Sequence, residues 1–179
     1  MRLLPIENPQ SWIVRIAYWY SRRKYGKVLT TLKVLYARKP GLIRPYAALL
    51  GSEKKLMTLP SELRILLKAK IASINGCQFC IDIARYSANE EVTVNKIGAL
   101  DSCATNPLFN SRERSALAFV EKATKSRKVS AQTFEAPRVH FEEGDIVELT
   151  WLNAMENFLN LTTLPLGIGS DNLCEIRNG

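Results

Sequence analysis

The 179-residue chain contains one histidine, His140, and four cysteines. A lone histidine has no second imidazole as a base or ligand beside it, so we expect His140 to be structural. No apolar run approaches the roughly 18 residues that a membrane-spanning helix needs. The first twenty residues carry charges and prolines early and lack the cleavage signature of a secretory signal. These absences predict a chain without a membrane partner.

Four cysteines, only two of them closely spaced, do not make a disulfide scaffold. This usage favours a reducing compartment, so we expect the cytoplasm, where a Cys-x-x-Cys is more often catalytic or metal-binding than structural. Zinc on Cys77 and Cys80 would need two more ligands, and the candidates Cys103, Cys174 and His140 show no second paired spacing. We therefore expect no metal and no cofactor, with Cys103 and Cys174 as small buried apolar residues.

Composition and pattern predict an all-α protein. The chain is 46% apolar and 23% charged, which is typical of a globular protein about one domain in size. No alternating strand pattern of useful length and no repeat is present. We expect a single helical domain over residues 1–179, with basic N-terminal helices over 1–58 and a core and tail over 59–179.

Charge is distributed unevenly along the chain. Residues 1–70 carry fifteen Lys and Arg against three acidic side chains, whereas the remainder carries ten against fourteen. The stretch from Arg22 to Lys24 could bind nucleic acid, an anionic surface or an acidic partner. A solvated helix end accounts for it as well, and a charge block alone is weak support for binding. We therefore do not expect a nucleic-acid partner.

Caps, breaks and apolar periodicity predict helices along the whole chain. The first, from Ser11 to about Lys24, should bury a face containing Ile13, Ile16, Ala17 and Tyr20. The longest, from about Glu143 to Thr163, is apolar around a wide arc, and this predicts burial on several sides or a face shared with a second subunit. Its stripe consists of Val147, Trp151, Ala154, Phe158 and Leu161. The other predicted helices cover about 30–38, 42–50, 61–75, 77–89, 92–102, 112–125 and 130–138.

The segment from Asn75 to Asp82 carries the chemistry. It places Cys77 and Cys80 three positions apart, directly after an Asn-Gly break, where both can lie on the first turn of a helix. There the unpaired backbone N–H groups and the helix dipole favour a thiolate. Two such sulfurs can also close into a disulfide and reopen. Asp82 and Arg85 follow on the same helix, and we expect them to be solvated or to face an interface.

Four segments resemble the alkylhydroperoxidase D-like, or carboxymuconolactone decarboxylase, family. They are LPSELRILLKAKIASINGCQFCID at 59–82, LFNSRER at 108–114, HFEEGDIVEL at 140–149 and PLGIGSD at 165–171. Together they extend the resemblance over about residues 26–174. It implies an all-helical fold that assembles through its helices into a homo-oligomer, a trimer, hexamer or dimer.

The family's best-understood activity is the reduction of peroxides by the cysteine pair. The resemblance therefore implies a thiol-dependent peroxidase with an antioxidant role. The substrate would be a small peroxide, and an external dithiol would be the reductant. In that scheme Cys80 attacks the peroxide and Cys77 resolves the sulfenic acid as a disulfide. The helix-start argument instead makes Cys77 the more acidic thiol. The sequence leaves this assignment open.

The chain departs from the family's proton relay. A histidine four residues after the second cysteine and a glutamate twelve before the first are replaced by Ala84 and Ile65, and Phe79 stands between the cysteines. General-base assistance is typically worth ~10²–10⁴-fold. We therefore expect a slow peroxidase unless another group takes over the proton transfer.

Two other functions are compatible with the sequence. The first is a lyase of the carboxymuconolactone decarboxylase type, against which the scarcity of histidine and the retained cysteines argue. The second is a non-enzymatic helical oligomer that binds an anionic partner through its basic N-terminal half.

Overall fold

The computed structural model describes residues 1–88 and 90–173, and within these residues it contains helices and no strand. The prediction of an all-α fold is confirmed. No helix in these residues has the length and apolar character to cross a membrane. The α-helices are α1 (Trp12–Tyr25), α2 (Ile43–Leu56), α3 (Ser61–Asn75), α4 (Gln78–Ser87), α5 (Glu91–Gly98), α6 (Ser111–Ser126), α7 (Ala131–Glu135) and α8 (Glu143–Thr163). A π-helical turn covers Leu32–Tyr36, and short 3₁₀ turns cover Pro40–Leu42, Leu100–Ser102, Ala136–Val139 and Leu164–Leu166.

Helix α3 lies at the centre and packs against α4, α5, α6 and α8. Its buried side chains share the larger apolar cluster, here called the main core, with residues of α6 and α8. The main core has Leu66, Leu67, Ile71, Leu117, Val120, Leu149 and Leu152 among its most buried members. Burial of these side chains, at ~25 cal/mol per Å² of apolar surface, is the principal stabilising contribution to the fold.

A second apolar cluster, here called the cysteine cluster, joins the N-terminal helices to the start of α4. It consists of Val14, Tyr18, Val28, Leu29, Leu32, Val34, Tyr36, Ala72, Cys77, Phe79, Cys80, Ile168 and Leu173. Helix α3 contributes to both clusters, because Ala72 faces the cysteine cluster while its neighbour Ile71 faces the main core. The cysteine pair therefore lies beside the central helix but outside the main core.

Local details differ from the sequence predictions. Helix α1 buries Val14, Tyr18 and Ser21, whereas Ile16 and Tyr20 are exposed, so the predicted face was wrong at these two positions. Its other two members, Ile13 and Ala17, are partly buried against the cysteine cluster. The reason is tertiary, since the Tyr18 hydroxyl donates to the carbonyl of Ile6 at 2.6 Å and anchors the other side of the helix.

The predicted helix at 30–38 is a five-residue π-helical turn, and α2 continues to Leu56, six residues beyond the expected end. Asn110, rather than Ser111, caps α6, and it forms a capping box with Glu113. Because each helix nevertheless forms near its predicted position, these differences change boundaries and geometry but not the element order.

Helix α8 has the predicted bounds but not the predicted environment. Ile146, Leu149, Leu152 and Met155 are buried. The predicted stripe of Val147, Trp151, Ala154, Phe158 and Leu161 is exposed, Trp151 by 53%. Burial of this stripe within one chain was therefore a wrong prediction. The alternative, a face shared with a second subunit, stays a prediction.

Several basic side chains of residues 1–70 are paired within the chain. Lys27 lies 3.3 Å from Asp171, and the amine of Lys68 lies 3.0 Å from Glu53. The Arg22–Lys24 stretch forms the last turn of α1, where positive charge is favoured by the helix dipole. The local environment thus accounts for much of the basic character without an anionic partner.

Candidate active site

The turn between α3 and α4 places the two cysteines. Gly76 ends α3 with a φ of 72°, in the left-handed region where glycine carries no steric cost. Cys77 is then the N-cap of α4, and Cys80 lies in the first turn of this helix. Their Cα atoms are 5.3 Å apart and a disulfide joins them. The spacing of the motif thus brings both sulfurs together at a helix start.

The two cysteines differ in exposure and in hydrogen bonding. Cys77 is completely buried, whereas Cys80 retains 8% exposure. The backbone N–H of Cys80 donates to Cys77 Sγ at 3.3 Å, and Thr163 Oγ1 lies 3.2 Å from the same sulfur. The N–H donor of Cys80 favours a thiolate at Cys77, while the remaining exposure of Cys80 favours this residue for contact with a substrate.

The residues that replace the family's proton relay are apolar, and they also lie in apolar surroundings. Ile65 and Ala84 are buried in the main core, and Phe79 is buried in the cysteine cluster. Within residues 1–88 and 90–173, no His, Asp, Glu or Lys side chain forms a hydrogen bond with either sulfur. Any acid–base assistance to the pair therefore comes from groups that the sequence comparison did not identify.

A buried polar network on α8 lies next to the pair. Asn160 Nδ2 donates to Glu156 Oε1 at 2.7 Å, and Asn75 Nδ2 donates to Asn160 Oδ1 at 2.9 Å. Thr163 Oγ1 donates to the carbonyl of Asn160 at 2.9 Å and continues the network to Cys77. Glu156, Asn160 and Thr163 are all buried. Their i, i+4, i+7 spacing, which places all three on one face of α8, is the sequence signal that could have identified them.

Glu156 is the ionisable group of this network. Burial raises its pKa to about 7, against the opposite influence of Lys68 and of the Asn160 amide, while Glu53 contributes a further increase. A carboxyl group with such a pKa can hold or release a proton near neutral pH. It is a better acid–base candidate than His140, which precedes the opposite end of α8, a helix about 30 Å long.

Asp82 has a role different from the one expected. It is buried, and its carboxylate accepts the Ser170 hydroxyl and the backbone N–H groups of Asp171 and Leu173 at 2.9–3.1 Å. The prediction of a solvated Asp82 was wrong, because the C-terminal segment 165–173 folds back onto α4. Asp171 in turn accepts the backbone N–H and the hydroxyl of Thr30. The tail thus joins the cysteine helix to the N-terminal region.

An apolar pocket of about 410 Å³ lies between the π-helical turn, α2 and α8. Tyr36 and Tyr46 line it, with ring centroids 4.9 Å apart. Tyr36 belongs to the cysteine cluster and Tyr46 packs against that cluster. Burial raises the pKa of both hydroxyls above the usual tyrosine range, so they remain protonated donors. The remaining lining is Leu35, Leu42, Pro45, Leu49, Trp151, Ala154, Met155, Phe158 and Thr162.

The other sequence candidates lie elsewhere or outside the described residues. Cys103 is a free, buried thiol in the main core. Cys174 lies outside the described residues. Within the part of the chain that the structure describes, no three His, Cys, Asp or Glu side chains are grouped as metal ligands. The disulfide pair with its α8 network is therefore the candidate site.

Comparisons with known proteins place this fold. No protein-family model matches the chain. It is 29% identical over 167 residues to the uncharacterized protein YnjA of Escherichia coli, covering 92% of this chain and 91% of YnjA. It is 27% identical over 110 residues to the uncharacterized protein YdfG of Bacillus subtilis, covering 58% of this chain and 73% of YdfG.

The solved structures are more informative about architecture. An alkylhydroperoxidase AhpD core protein from Ralstonia eutropha, described as peroxidase-related, superposes with a TM-score of 0.74 at 22% identity, covering 95% of both chains. A peroxidase-related protein from Silicibacter gives 0.78 at 20% identity, covering 92% of this chain and 88% of that one. The debrominase Bmp8 in complex with 2,3,4-tribromopyrrole gives 0.79 at 18% identity, covering 97% and 93%.

Proposed function

From an alkylhydroperoxidase D-like fold that carries a paired Cys77 and Cys80, we propose a thiol-dependent peroxidase. The observation that carries this proposal is the disulfide across the first turn of α4. A dithiol that closes into a disulfide supplies two electrons, the number required to cleave a peroxide O–O bond. The peroxidase-related proteins that share the fold support it further.

In the proposed cycle Cys80 is the attacking thiolate, because it is the cysteine with exposure. Its sulfur takes the terminal oxygen of ROOH, the O–O bond breaks, and ROH leaves after protonation. Cys77 then attacks the sulfenic sulfur of Cys80 and releases water. The sum is ROOH plus two thiols giving ROH, water and one disulfide.

Regeneration follows the same asymmetry. One thiol of an external dithiol attacks the Cys80 sulfur and Cys77 leaves as the thiolate. The second thiol of the reductant then displaces Cys80 from the mixed disulfide and leaves the reductant oxidised. A leaving thiol departs faster when its pKa is lower, and the donors around Cys77 Sγ favour its thiolate. The proposal thus gives the attacking role to Cys80 and the leaving role to Cys77, which is compatible with both the family scheme and the helix-start argument.

The apolar pocket favours an organic hydroperoxide over hydrogen peroxide. Its volume is within the usual range for small-molecule sites, and such sites combine an apolar lining with a few polar groups. The protonated hydroxyls of Tyr36 and Tyr46 are such groups. Neither cysteine lines this pocket, so in the proposal it holds the organic substituent, and Tyr36, which belongs to both the lining and the cysteine cluster, links it to the pair.

The test uses the Cys103→Ala/Cys174→Ala double variant, in which the pair supplies the only thiols. Cumene hydroperoxide should remove both thiols without joining chains, and dithiothreitol should support continued peroxide consumption. Adding Cys80→Ser should abolish turnover, whereas adding Cys77→Ser should stop the cycle after one peroxide. Peroxide consumption that survives Cys80→Ser, or a wild-type protein with no dithiol-dependent turnover, would contradict the proposal.

A second candidate is reductive dehalogenation, favoured by the extensive superposition on Bmp8 and by the aromatic pocket lining. The dithiol would supply two electrons to a brominated heteroaromatic, replacing bromine by hydrogen with release of bromide and formation of the disulfide. The missing peroxidase relay fits this reaction as well. Bromide release from tribromopyrrole in the presence of dithiothreitol, absent in Cys80→Ser, distinguishes it from peroxide reduction.

Assembly into a homo-oligomer is part of the same proposal. The exposed apolar stripe of α8, with Trp151 and Phe158 at its centre, supports a face covered by a second copy. Light scattering of Trp151→Glu beside the wild type tests this. A wild-type protein that is monomeric at the concentration of the activity assay would contradict it.

A further inference from the structure

The hydroxyl of Thr163, on α8, makes a polar contact with the cysteine pair of α4. Thr163 is the last residue of α8, its side chain is buried, and its Oγ1 lies 3.2 Å from Cys77 Sγ. Cys77 is itself completely buried, so water does not solvate this sulfur. The protonation state of Cys77 therefore depends on the few protein groups that reach it.

The Thr163 hydroxyl can match each state of the sulfur. In the disulfide and in the thiol, its single hydrogen is donated to the carbonyl of Asn160 at 2.9 Å. The Cys77 thiol can then donate to Thr163 Oγ1. When Cys77 is a thiolate, rotation about the Thr163 Cβ–Oγ1 bond can direct the hydrogen to Sγ, where it joins the N–H of Cys80. A thiolate with two donors is stabilised relative to the thiol.

The surrounding network holds this hydroxyl in place. Asn160 is fully buried and is bonded to Glu156 on one side and to Asn75 on the other. Asn75 is the last residue of α3, two positions before Cys77, and it also donates to Asn157 Oδ1 at 2.9 Å. The end of α8 and the cysteine turn are therefore joined by the two side-chain hydrogen bonds of Asn75 and by the Thr163 contact. The distance between Thr163 and the sulfur is fixed by the fold.

We propose that Thr163 is a positioning residue of the redox pair, whose hydroxyl stabilises the Cys77 thiolate. Stabilising this thiolate favours the reduced state and improves Cys77 as the leaving group when a reductant attacks Cys80. The inference rests on the proposed redox function but concerns the pair itself. Its readouts are the Cys77 pKa and the disulfide reduction potential, and neither measurement requires a peroxide.

The decisive comparison is Thr163→Val against Thr163→Ser, both in the Cys103→Ala/Cys174→Ala background. Valine keeps the shape and removes the hydroxyl, whereas serine keeps the hydroxyl. Thr150→Val is the matched control, because Thr150 makes the same bond to a preceding carbonyl of α8, at 2.9 Å to Ile146, without a sulfur contact. The Cys77 pKa is followed by thiolate ultraviolet absorbance after addition of Cys80→Ser.

Thr163→Val should raise the Cys77 pKa by about one unit, a tenfold change. At a pH above the Cys77 pKa of both proteins, the reduction potential of the disulfide should become about 30 mV more negative in Thr163→Val. For a two-electron couple this shift equals the same tenfold change. At a pH below both of these pKa values, the two proteins should have the same reduction potential, because no Cys77 thiolate forms. Thr163→Ser and Thr150→Val should behave like the wild type. If valine does not fold, Thr163→Ala supplies the same readout.

Other ionisable groups near the pair must be separated from this effect. They are Glu156 on α8, Asp82 on α4, Tyr36 in the π-helical turn, Tyr46 on α2 and Tyr18 on α1. Of these, Glu156 titrates near neutral pH. Repeating the titration with Glu156→Gln removes its contribution, and the difference between Thr163→Val and the wild type should persist.

An unchanged pKa and potential in Thr163→Val would overturn the inference, and so would serine behaving like valine. These results are independent of turnover. A protein that consumes no peroxide but shows the threonine-dependent shift would refute the peroxidase and retain Thr163 as a positioning residue. A working peroxidase with no shift would refute only the role of Thr163.

Discussion

The carboxylate of Asp82 accepts the backbone N–H of Asp171 at 2.9 Å, so the helix that carries the cysteine pair also holds the C-terminal segment. The same carboxylate accepts the N–H of Leu173 at 3.1 Å, within the cysteine cluster. The order of this segment therefore depends on one buried side chain.

Replacing Asp82 should destabilise the protein. In Asp82→Ala two buried backbone N–H groups lose their acceptor, and an unsatisfied buried donor costs ~1–3 kcal/mol. We expect the free energy of unfolding, from urea denaturation, to fall by about 2–4 kcal/mol. Asp101→Ala, at an exposed aspartate, is the control and should change it little. Equal stability of the two variants would refute a structural role for Asp82.

Gly76 should resist substitution for a purely conformational reason. A Cβ at this position meets no atom within 4 Å, yet its φ is +72°. Gly76→Ala should therefore cost about 1–2 kcal/mol through backbone strain alone. Gly98→Ala, in the last turn of α5 with equally open surroundings, should be neutral or stabilising. Thermal unfolding of the two variants measures the difference, and an equal melting temperature would contradict the strain argument.

Glu156 should make stability depend on pH. Because its folded pKa, about 7, lies above the ordinary value of 4.5, the folded state retains a proton that the unfolded chain releases between these values. The free energy of unfolding should be highest below the lower value and should fall as pH rises through the upper one. The full change is on the order of 3 kcal/mol.

Glu156→Gln should flatten this dependence, because glutamine keeps the acceptor for Asn160 without titrating. Urea denaturation across this pH window measures it. Glu91→Gln, at an exposed position of α5, is the control. Its free energy of unfolding should fall with pH as steeply as that of the wild type. A Glu156→Gln protein with that same slope would show that another group is responsible.

Reducing the volume of the apolar pocket should raise the KM for a large peroxide without affecting a small one. Ala154 lines the pocket on α8, and Ala154→Phe removes space there. The KM for cumene hydroperoxide should rise about tenfold, equivalent to ~1.4 kcal/mol of lost binding, while hydrogen peroxide turnover stays unchanged. Val92→Phe, at an exposed position of α5 outside the α8 stripe, should affect neither. Equal effects on both peroxides would place the substrate outside this pocket.

The sequence predicted the elements better than their surroundings. The break at Asn75-Gly76 correctly located the end of α3 and the helix start that carries Cys77. In contrast, α8 is apolar on nearly all sides, so periodicity could not distinguish its buried side from the exposed side that contains Trp151. That choice depends on which helices pack against α8, and local sequence does not encode it.

The candidate site was predicted only in part. Cys77 and Cys80 were found because their spacing is itself the chemical signal. Thr163 and Glu156 were missed because they are 86 and 79 positions from Cys77 and carry no motif. Only the packing of α8 against α3 brings them near the pair.

The division of the apolar side chains into two clusters has a consequence for fluctuations. Breathing motions that expose Cys80 to a bulky reductant need to loosen only α1, the π-helical turn and the tail, because these elements supply most of the cysteine cluster. The contacts among α3, α6 and α8 can persist during such an opening. Access to the sulfurs is thus separable from global unfolding, and the proposed catalytic cycle can repeat while the main core stays folded.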